Sequence, residues 1–305
     1  MKKKIVLLAG PTASGKTKLA IYLAQKIKGE IINADSMQVY KDFQILSSRP
    51  NKSELRLAKH HLYGFQSSGA IFSTGKWLKL VKNKIDQILT KGKIPILVGG
   101  TGLYFKAITD GISKIPSIKF SDRNKIRRLH KKIGQAKFYE KLVKLDPISK
   151  LKISSTDTQR SLRAYEVKKY TKKSIYEWAK KTKPLFSKFE VIKFFINTPK
   201  NRLLKNIELR TNSMIKKQCI NEVIKFKKRR LKKSLSPNKI IGVQEIQRYL
   251  RGDFDQKSLI ELINIKTRQY AKRQKTWSRA HMSDWHMIYS SNSSVLLKKI
   301  YNLLS

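Results

Sequence analysis

A single cysteine, Cys219, stands in the 305 residues, so the chain can form neither an internal disulfide nor a multi-cysteine zinc site, and a reducing compartment suits it. No apolar run approaches the roughly 20 residues of a membrane span, which excludes a helical integral membrane protein. The start has no signal-peptide layout, and the expected location is the cytoplasm. No stretch rich in Gly, Ser or Pro marks a flexible linker, and no segment repeats. Acidic residues are scarce: 20 Asp and Glu face 68 Lys and Arg, a formal net charge of +48. Solubility alone asks for far less. Lysine accompanies much isoleucine and asparagine, so a compositional bias accounts for part of the excess, about a third by the surface charge of an ordinary small domain. The remainder points to a polyanionic partner, nucleic acid rather than a small acidic substrate.

What is there begins with the apolar run Ile5 to Ala9, followed at once by Gly10, Pro11, Thr12, Ala13, Ser14, Gly15, Lys16 and Thr17. This is a phosphate-binding loop in a strand-then-helix context. Its glycines let successive N–H groups turn toward an anion, and the helix starting near Lys16 adds its positive end. Lys16 can neutralise terminal phosphate oxygens, and the Thr17 hydroxyl can hold Mg²⁺.

The first hundred residues alternate strand and helix. Strands are expected at 3–9, 30–33 and 94–98, and helices at 16–28 and 74–91, the latter capped by Ser73 or Thr74. Continuous apolar strands separated by helices predict a parallel sheet covered on both faces. Ligands then gather at the carboxyl ends of the strands. Those ends carry the phosphate loop, the run Ala34 to Gln38, and the run Gly99 to Gly102, so the three loops must face one cleft. Past residue 114 the strand signal gives way to short basic helical segments between Pro116 and Pro184, with 22 Lys and Arg against seven Asp and Glu in residues 119–190. The sheet resumes at 191–196, and helical patterns continue to the end. The expected fold is therefore α/β, a P-loop NTPase-like parallel-sheet core built from 1–113 and 189–305, with a helical insertion domain at 114–188. At this length a core carrying a second domain is reasonable.

Asp35 follows a buried strand and can act as a general base or bind Mg²⁺ through water; equally, it can cap a following helix. Thr101 lies in a glycine-flanked turn and can bond a phosphate or a base. In the insertion, Asp157, Arg160 and Arg163 recur at a spacing of three with Gln159 beside them, which suits phosphate or base recognition but also a solvated, ion-paired face. Arg202 and Arg210 sit on the helix after the returning strand, where they can supply a cation to the phosphates. Residues 267–277 interleave cations with Tyr270 and Trp277 without an acidic residue, as in a backbone-tracking nucleic-acid contact; the alternative is an amphipathic helix with Trp277 in the core. His60 and His61 lack a Cys or acidic partner at ligand spacing, so no metal site is expected there.

Together the phosphate loop, Ala34-Asp-Ser-Met-Gln-Val-Tyr40, His60-His-Leu62, Leu97-Val-Gly-Gly-Thr-Gly-Leu-Tyr104, Asp157 with Gln159 to Val167, and the block from Thr267 to Trp277 resemble the bacterial tRNA dimethylallyltransferases, also called tRNA isopentenyltransferases. The likeness spans nearly the whole chain. It implies transfer of a dimethylallyl group from dimethylallyl diphosphate to the exocyclic amine of the adenosine 3′ of the anticodon, with the adenosine flipped out of its stack. Carried over by position, it implies that Asp35 accepts the amine proton and that Lys16, the loop amides and Arg210 stabilise the leaving diphosphate, with Thr17 holding Mg²⁺. It further implies that Asp35, Ser36, Met37, Gln38, Thr101, Arg123, Gln159, Arg160, Ser161, Leu162 and Arg163 touch the tRNA. The insertion would clasp the anticodon stem-loop, the C-terminal basic helix would add backbone contacts, and a monomer is expected. The chain departs from the family pattern at Leu46-Ser-Ser-Arg-Pro50, at Tyr63-Gly64 and at Ile241-Gly-Val243; Arg49 stands where the family carries lysine. A P-loop kinase of small molecules or nucleotides shares the fold and the loop, but the +48 charge disfavours it. A non-catalytic RNA-binding module is disfavoured by the intact loop with Asp35.

Overall fold

Why the amino-terminal strand is buried on both sides is visible in its side-chain alternation. In β1 (Lys4–Ala9), Ile5, Leu7 and Ala9 face one apolar cluster and Val6 and Leu8 the other, all almost wholly shielded from solvent. The computed structural model describes residues 2–289 and 301. After β1 come α1 (Lys16–Lys26), β2 (Gly29–Asn33), α2 (Lys52–Leu57), β3 (His60–His61), α3 (Thr74–Leu89), β4 (Ile94–Gly99) and α4 (Gly102–Thr109). Four helices follow: α5 (Phe120–Leu145), α6 (Ser149–Lys152), α7 (Thr158–Thr171) and α8 (Ile175–Lys180). The chain then returns through β5 (Glu190–Ile196), α9 (Lys200–Lys216), α10 (Cys219–Lys228), a 3₁₀ turn at Ser236–Lys239, α11 (Val243–Tyr249), α12 (Gln256–His281) and β6 (His286–Ile288).

The six strands form one sheet in the order β3-β2-β4-β1-β5-β6, every pairing parallel. The register sets Val6 beside Ile96 and Ile192, which brings the carboxyl ends of β1, β4 and β5 level. The expected α/β, P-loop-like parallel core is what the chain forms. Helix α1 packs Leu19, Ala20 and Leu23 on one face; α3 and α4 bury Trp77, Val81, Ile85 and Phe105 on the other. Ser73, rather than Thr74, caps α3 by accepting the Lys76 N–H. A third apolar cluster joins Tyr40, Phe43 and Leu46 to the carboxyl-terminal helices through Met214, Val223, Ile246, Leu259 and Ile263.

Residue contacts divide the chain into one unit of Met1–Thr109 with Phe186–Ser305 and another of Asp110–Leu185. The second unit is all helical. Its helices are not all short, since α5 runs 26 residues with a bend at Gly134, whose φ of 76° breaks the helical path. Leu142, Ile153 and Ala164 form its centre, and the buried Asp146 carboxylate accepts the hydroxyls of Ser149 and Ser174.

Two elements differ from the sequence reading. Helix does not continue to the end, because β6 adds a parallel strand beside β5. The His60-His61 pair forms an edge strand, where His61 Nε2 lies 2.6 Å from Glu30 Oε2. Among the described residues no cluster of three or more His, Cys, Asp or Glu could hold a metal. No helix among them is long and apolar enough to cross a membrane.

Candidate active site

The phosphate loop leaves β1 at Gly10 and enters α1 through Gly15, whose φ of 84° is the left-handed geometry that glycine adopts without strain. The first-turn amides of α1 have no intrahelical acceptor and form the anion-binding end of the helix. Helices α9 and α12 hold the loop from outside. Asn206 Nδ2 donates to Ala13 O at 3.0 Å, and Arg210 Nη1 to Thr12 Oγ1 at 2.7 Å. The Thr12 N–H donates to Gln274 Oε1 at 2.8 Å, while Gln274 Nε2 reaches Gly100 O, also at 2.8 Å. Close approach therefore explains the glycines after β4. A Cβ on Gly99 would lie 2.0 Å from Ala34 O, and one on Gly100 2.2 Å from Gln274 Nε2.

Lys16 folds back, donating from Nζ to Pro11 O at 2.6 Å. Burial lowers its pKa to about 8, with Asp35 opposing the shift and Arg210 adding to it. Burial likewise lowers Arg210 to about 10 against the attraction of Asp35. Among the described residues, Arg210 Nε is buried with no hydrogen-bond partner. Two desolvated cations and an unspent donor are an incomplete arrangement that an anion would complete.

Asp35 sits on the turn after β2. Its Oδ1 accepts the Met37 N–H at 2.9 Å, so the carboxylate closes a turn; no helix follows for it to cap. The side chain of Asn33, wholly buried, grips this turn from below: Oδ1 accepts the Asp35 N–H, and Nδ2 donates to Asp35 O and Leu62 O. Thr101 Oγ1 accepts the Ser36 N–H at 2.9 Å and lies 3.2 Å from Ser36 Oγ, joining the loops after β2 and β4. Gln38 donates to Ser47 O and Ser48 O, and its carboxamide is thereby spent on holding the next loop. The Glu222 carboxylate accepts the amides of Gln44, Ile45 and Leu46, which fixes Leu46 in place.

Thr12, Asp35, Arg210, Tyr270 and Arg273 line a cavity of about 260 Å³ with Met37, Leu46, Met214, Ile240, Ile241 and Ile263. One chamber thus joins a charged end to an apolar wall. Lys239, Ser47, Ser48, Thr211 and Thr267 complete it. Leu46, a position where the chain departs from the resembled pattern, belongs to the apolar wall. Arg202 is exposed on the first turn of α9, two turns before Arg210, and is not part of this lining.

Of the other residues singled out in sequence, the insertion holds seven. Arg123 and Arg163 both approach the buried Glu166, at 3.9 and 3.5 Å, and Arg160 pairs with Asp157 at 3.3 Å. Asp157 caps α7 through the Arg160 N–H. Gln159 is exposed and Leu162 half-buried. Ser161 does not offer a surface contact: it is fully buried, its hydroxyl 3.3 Å from Gln135 Nε2. The block 267–277 is likewise more than a basic face. Ala271, Gln274 and Ser278 are buried, Trp277 packs on Gly102 and stacks on His281, Arg273 reaches the cavity, and Lys272, Thr276 and Arg279 face outward. Asn33, Asn206 and the cavity-wall roles of Met214 and Lys239 carried no signal in the sequence; Gln274 and Tyr270 stood in the block without distinction from their neighbours.

These features define a P-loop-like α/β protein whose strand-end cleft joins an anion cradle to an apolar chamber. A family model described as IPP transferase matches residues 38–281, most of the chain. The tRNA dimethylallyltransferase of Pelagibacter ubique (strain HTCC1062) is 52% identical over 299 residues, covering 98% of this chain and 96% of that protein. That of Rickettsia massiliae (strain Mtu5) is 42% identical over 287 residues, 93% of this chain and 78% of the other. Among solved structures, the tRNA isopentenylpyrophosphate transferase of Bacillus halodurans superposes with a TM-score of 0.71 at 28% identity, covering 99% of this chain and 96% of that one. A eukaryotic dimethylallyltransferase acting on tRNA superposes with a TM-score of 0.80 at 27% identity, covering 96% and 75%. The chain belongs to the IPP transferase family.

Proposed function

We infer that this chain transfers a dimethylallyl group from dimethylallyl diphosphate to the exocyclic amine of the tRNA adenosine 3′-adjacent to the anticodon, releasing diphosphate. The observation that carries the reading is the single cavity in which Asp35 and Arg210 meet a wall of Met37, Leu46, Met214, Ile240, Ile241 and Ile263. A nucleotide kinase needs no such apolar chamber beside its phosphate loop, whereas a short branched hydrocarbon tail does.

In this reading the diphosphate lies on the α1 amides between Lys16 and Arg210. The anion restores to both cations the stabilisation that burial removes. The amine nitrogen forms a bond to C1 of the dimethylallyl group as the C1–O bond breaks and the electron pair leaves with diphosphate. The amine proton passes to the Asp35 carboxylate, held at the rim by Asn33 and by its own turn. Lys16, Arg210 and the amides stabilise the charge growing on the leaving group. The oxygen-only donor set at the loop, the Thr17 hydroxyl with diphosphate oxygens, fits Mg²⁺, which is content with few protein ligands. Bound there, Mg²⁺ would neutralise leaving-group charge. Ser36, Met37 and Thr101 would border the incoming adenosine, and Arg123, Gln159, Arg160, Leu162 and Arg163 of the cationic second unit would meet the anticodon stem-loop in the cytoplasm.

The test is incubation of the full chain with tRNA and radiolabelled dimethylallyl diphosphate, with γ-labelled ATP as the control donor. Label is expected in tRNA from the prenyl donor alone. Absence of prenyl label overturns the reading, and phosphate transfer from ATP favours a kinase.

A further inference from the structure

Leu46 lines the cavity from a backbone that is held on both sides. Its N–H donates to Glu222 Oε2 at 2.9 Å, and the N–H groups of Gln44 and Ile45 donate to Glu222 Oε1 at 2.8 Å each. Beyond it, Gln38 Nε2 donates to Ser47 O at 3.0 Å and to Ser48 O at 2.9 Å. The side chain is backed as closely as the main chain. Leu46 is buried, and its Cδ1 leans into the space left free at Gly242, 2.6 Å from where a Cβ on that residue would stand. A wall pinned in this way cannot retreat from a ligand, whereas the unbranched thioethers of Met37 and Met214 in the same lining can repack.

The chamber is also small. Its volume of about 260 Å³ holds about nine groups the size of a water molecule or a methylene, at about 30 Å³ each. The five carbons of a dimethylallyl tail fit there together with the phosphate group at the Arg210 end. Ten carbons do not. We propose that Leu46 sets the length of the hydrocarbon tail this chain accepts, admitting a five-carbon allylic diphosphate and excluding a ten-carbon one. The inference rests on the reading that the chamber holds the prenyl tail. Hydrophobicity alone argues the opposite way, because a longer tail has more apolar surface to remove from water. A preference for the shorter donor therefore needs a steric cause, and Leu46 supplies one.

The experiment is a comparison of kcat/KM for prenyl transfer to tRNA from dimethylallyl diphosphate and from geranyl diphosphate, using the full chain. The same bond forms with either donor, from the amine nitrogen to C1 as diphosphate leaves. The wild-type protein should use the ten-carbon donor at least about 100-fold less well. Leu46→Ala frees about 90 Å³, and the ratio should narrow at least about tenfold through a gain in geranyl transfer. A gain of activity cannot come from misfolding. Leu46→Val removes a single carbon and should shift the ratio in the same direction by less, which keeps the test open if the alanine variant does not fold. Wild-type use of geranyl diphosphate within tenfold of dimethylallyl diphosphate overturns the inference, as does the absence of a geranyl gain in a variant whose thermal unfolding stays native. Failure of the wild-type chain to transfer from dimethylallyl diphosphate would instead overturn the prenyl-transfer reading, and this inference with it.

Discussion

Lys16 and Arg210 are held close to one another and to Asp35 before any substrate arrives, and desolvation weakens both cations. In the proposed function that cost is recovered when the diphosphate binds, and the same two cations would then grip the leaving group. Lys16→Ala and Thr17→Ala should each slow prenyl transfer by the equivalent of about 2–4 kcal/mol, with excess EDTA mimicking the second; full activity in the variants or in EDTA would remove the metal-assisted reading. A pH dependence follows from the same environment. Because burial lowers the Lys16 pKa to about 8, the lysine loses its charge as pH rises through that value, and pyrophosphate affinity should fall there. Titration at pH 7 and pH 9 measures this, and an affinity that does not weaken would contradict the desolvated lysine. At this scale the sequence was legible where chemistry lies on contiguous residues. Lys16 and Thr17 end the contiguous loop that opens at Gly10 after β1, and Asp35 lies two residues past β2. Gln274 and Asn33 were not legible, since a carboxamide has no signature until the fold shows that one spans Thr12 to Gly100 and the other grips both sides of Asp35.

Strands β1 and β4 were readable because burial on both faces writes an apolar run, and β2 and β5 because each keeps one beside its charged residues, Ile31–Ile32 and Phe194–Ile196, whereas β3 and β6 have two and three residues and no such run. Helix α12 misled in part. Its cations dominate the sequence, but the face that matters to the loop is the small and polar one through Ala271, Gln274 and Ser278. Within the sheet, β2 carries a buried acid. Burial alone would raise the Glu30 pKa, but hydrogen bonds from Lys93 and His61 outweigh it and lower the value to about 2. A carboxylate depressed in the folded state contributes stability above its unfolded pKa, and that contribution is lost as pH falls from about 4.5 toward 2. Partial exposure of Lys93 screens the pair, so the loss should be about 2 kcal/mol. Denaturant unfolding at pH 6 and pH 3 should show this drop in the wild-type chain and a smaller one in Glu30→Gln; equal drops would show that the pair has no such role.

For the molecule as a whole, the positive charge is spread across both compact units, and the insertion carries its share on helices with little apolar surface to bury. The sequence placed the expected insertion at 114–188, where the strand signal vanishes between two prolines; residue contacts group Asp110–Leu185. It did not show that Arg123 and Arg163 converge on Glu166, a grouping made by α5 packing on α7. If these helices bind the anticodon arm, replacing Arg160 and Arg163 by alanine should weaken tRNA binding at least about tenfold at low salt and lower the slope of log Kd against log salt by about 2. Dimethylallyl diphosphate binding should not change, and an unaltered salt slope would contradict the assignment. In the proposed reaction charge delivers the RNA, whereas prenyl transfer depends on Asp35 in the cleft. Single-turnover transfer of labelled dimethylallyl to tRNA by wild-type and Asp35→Asn chains, with the label located on the adenosine amine after digestion, measures that most directly. Asparagine preserves the turn and removes the proton acceptor, so transfer should fall at least about 10²-fold with tRNA affinity and unfolding temperature retained. Near wild-type transfer by Asp35→Asn would contradict the account.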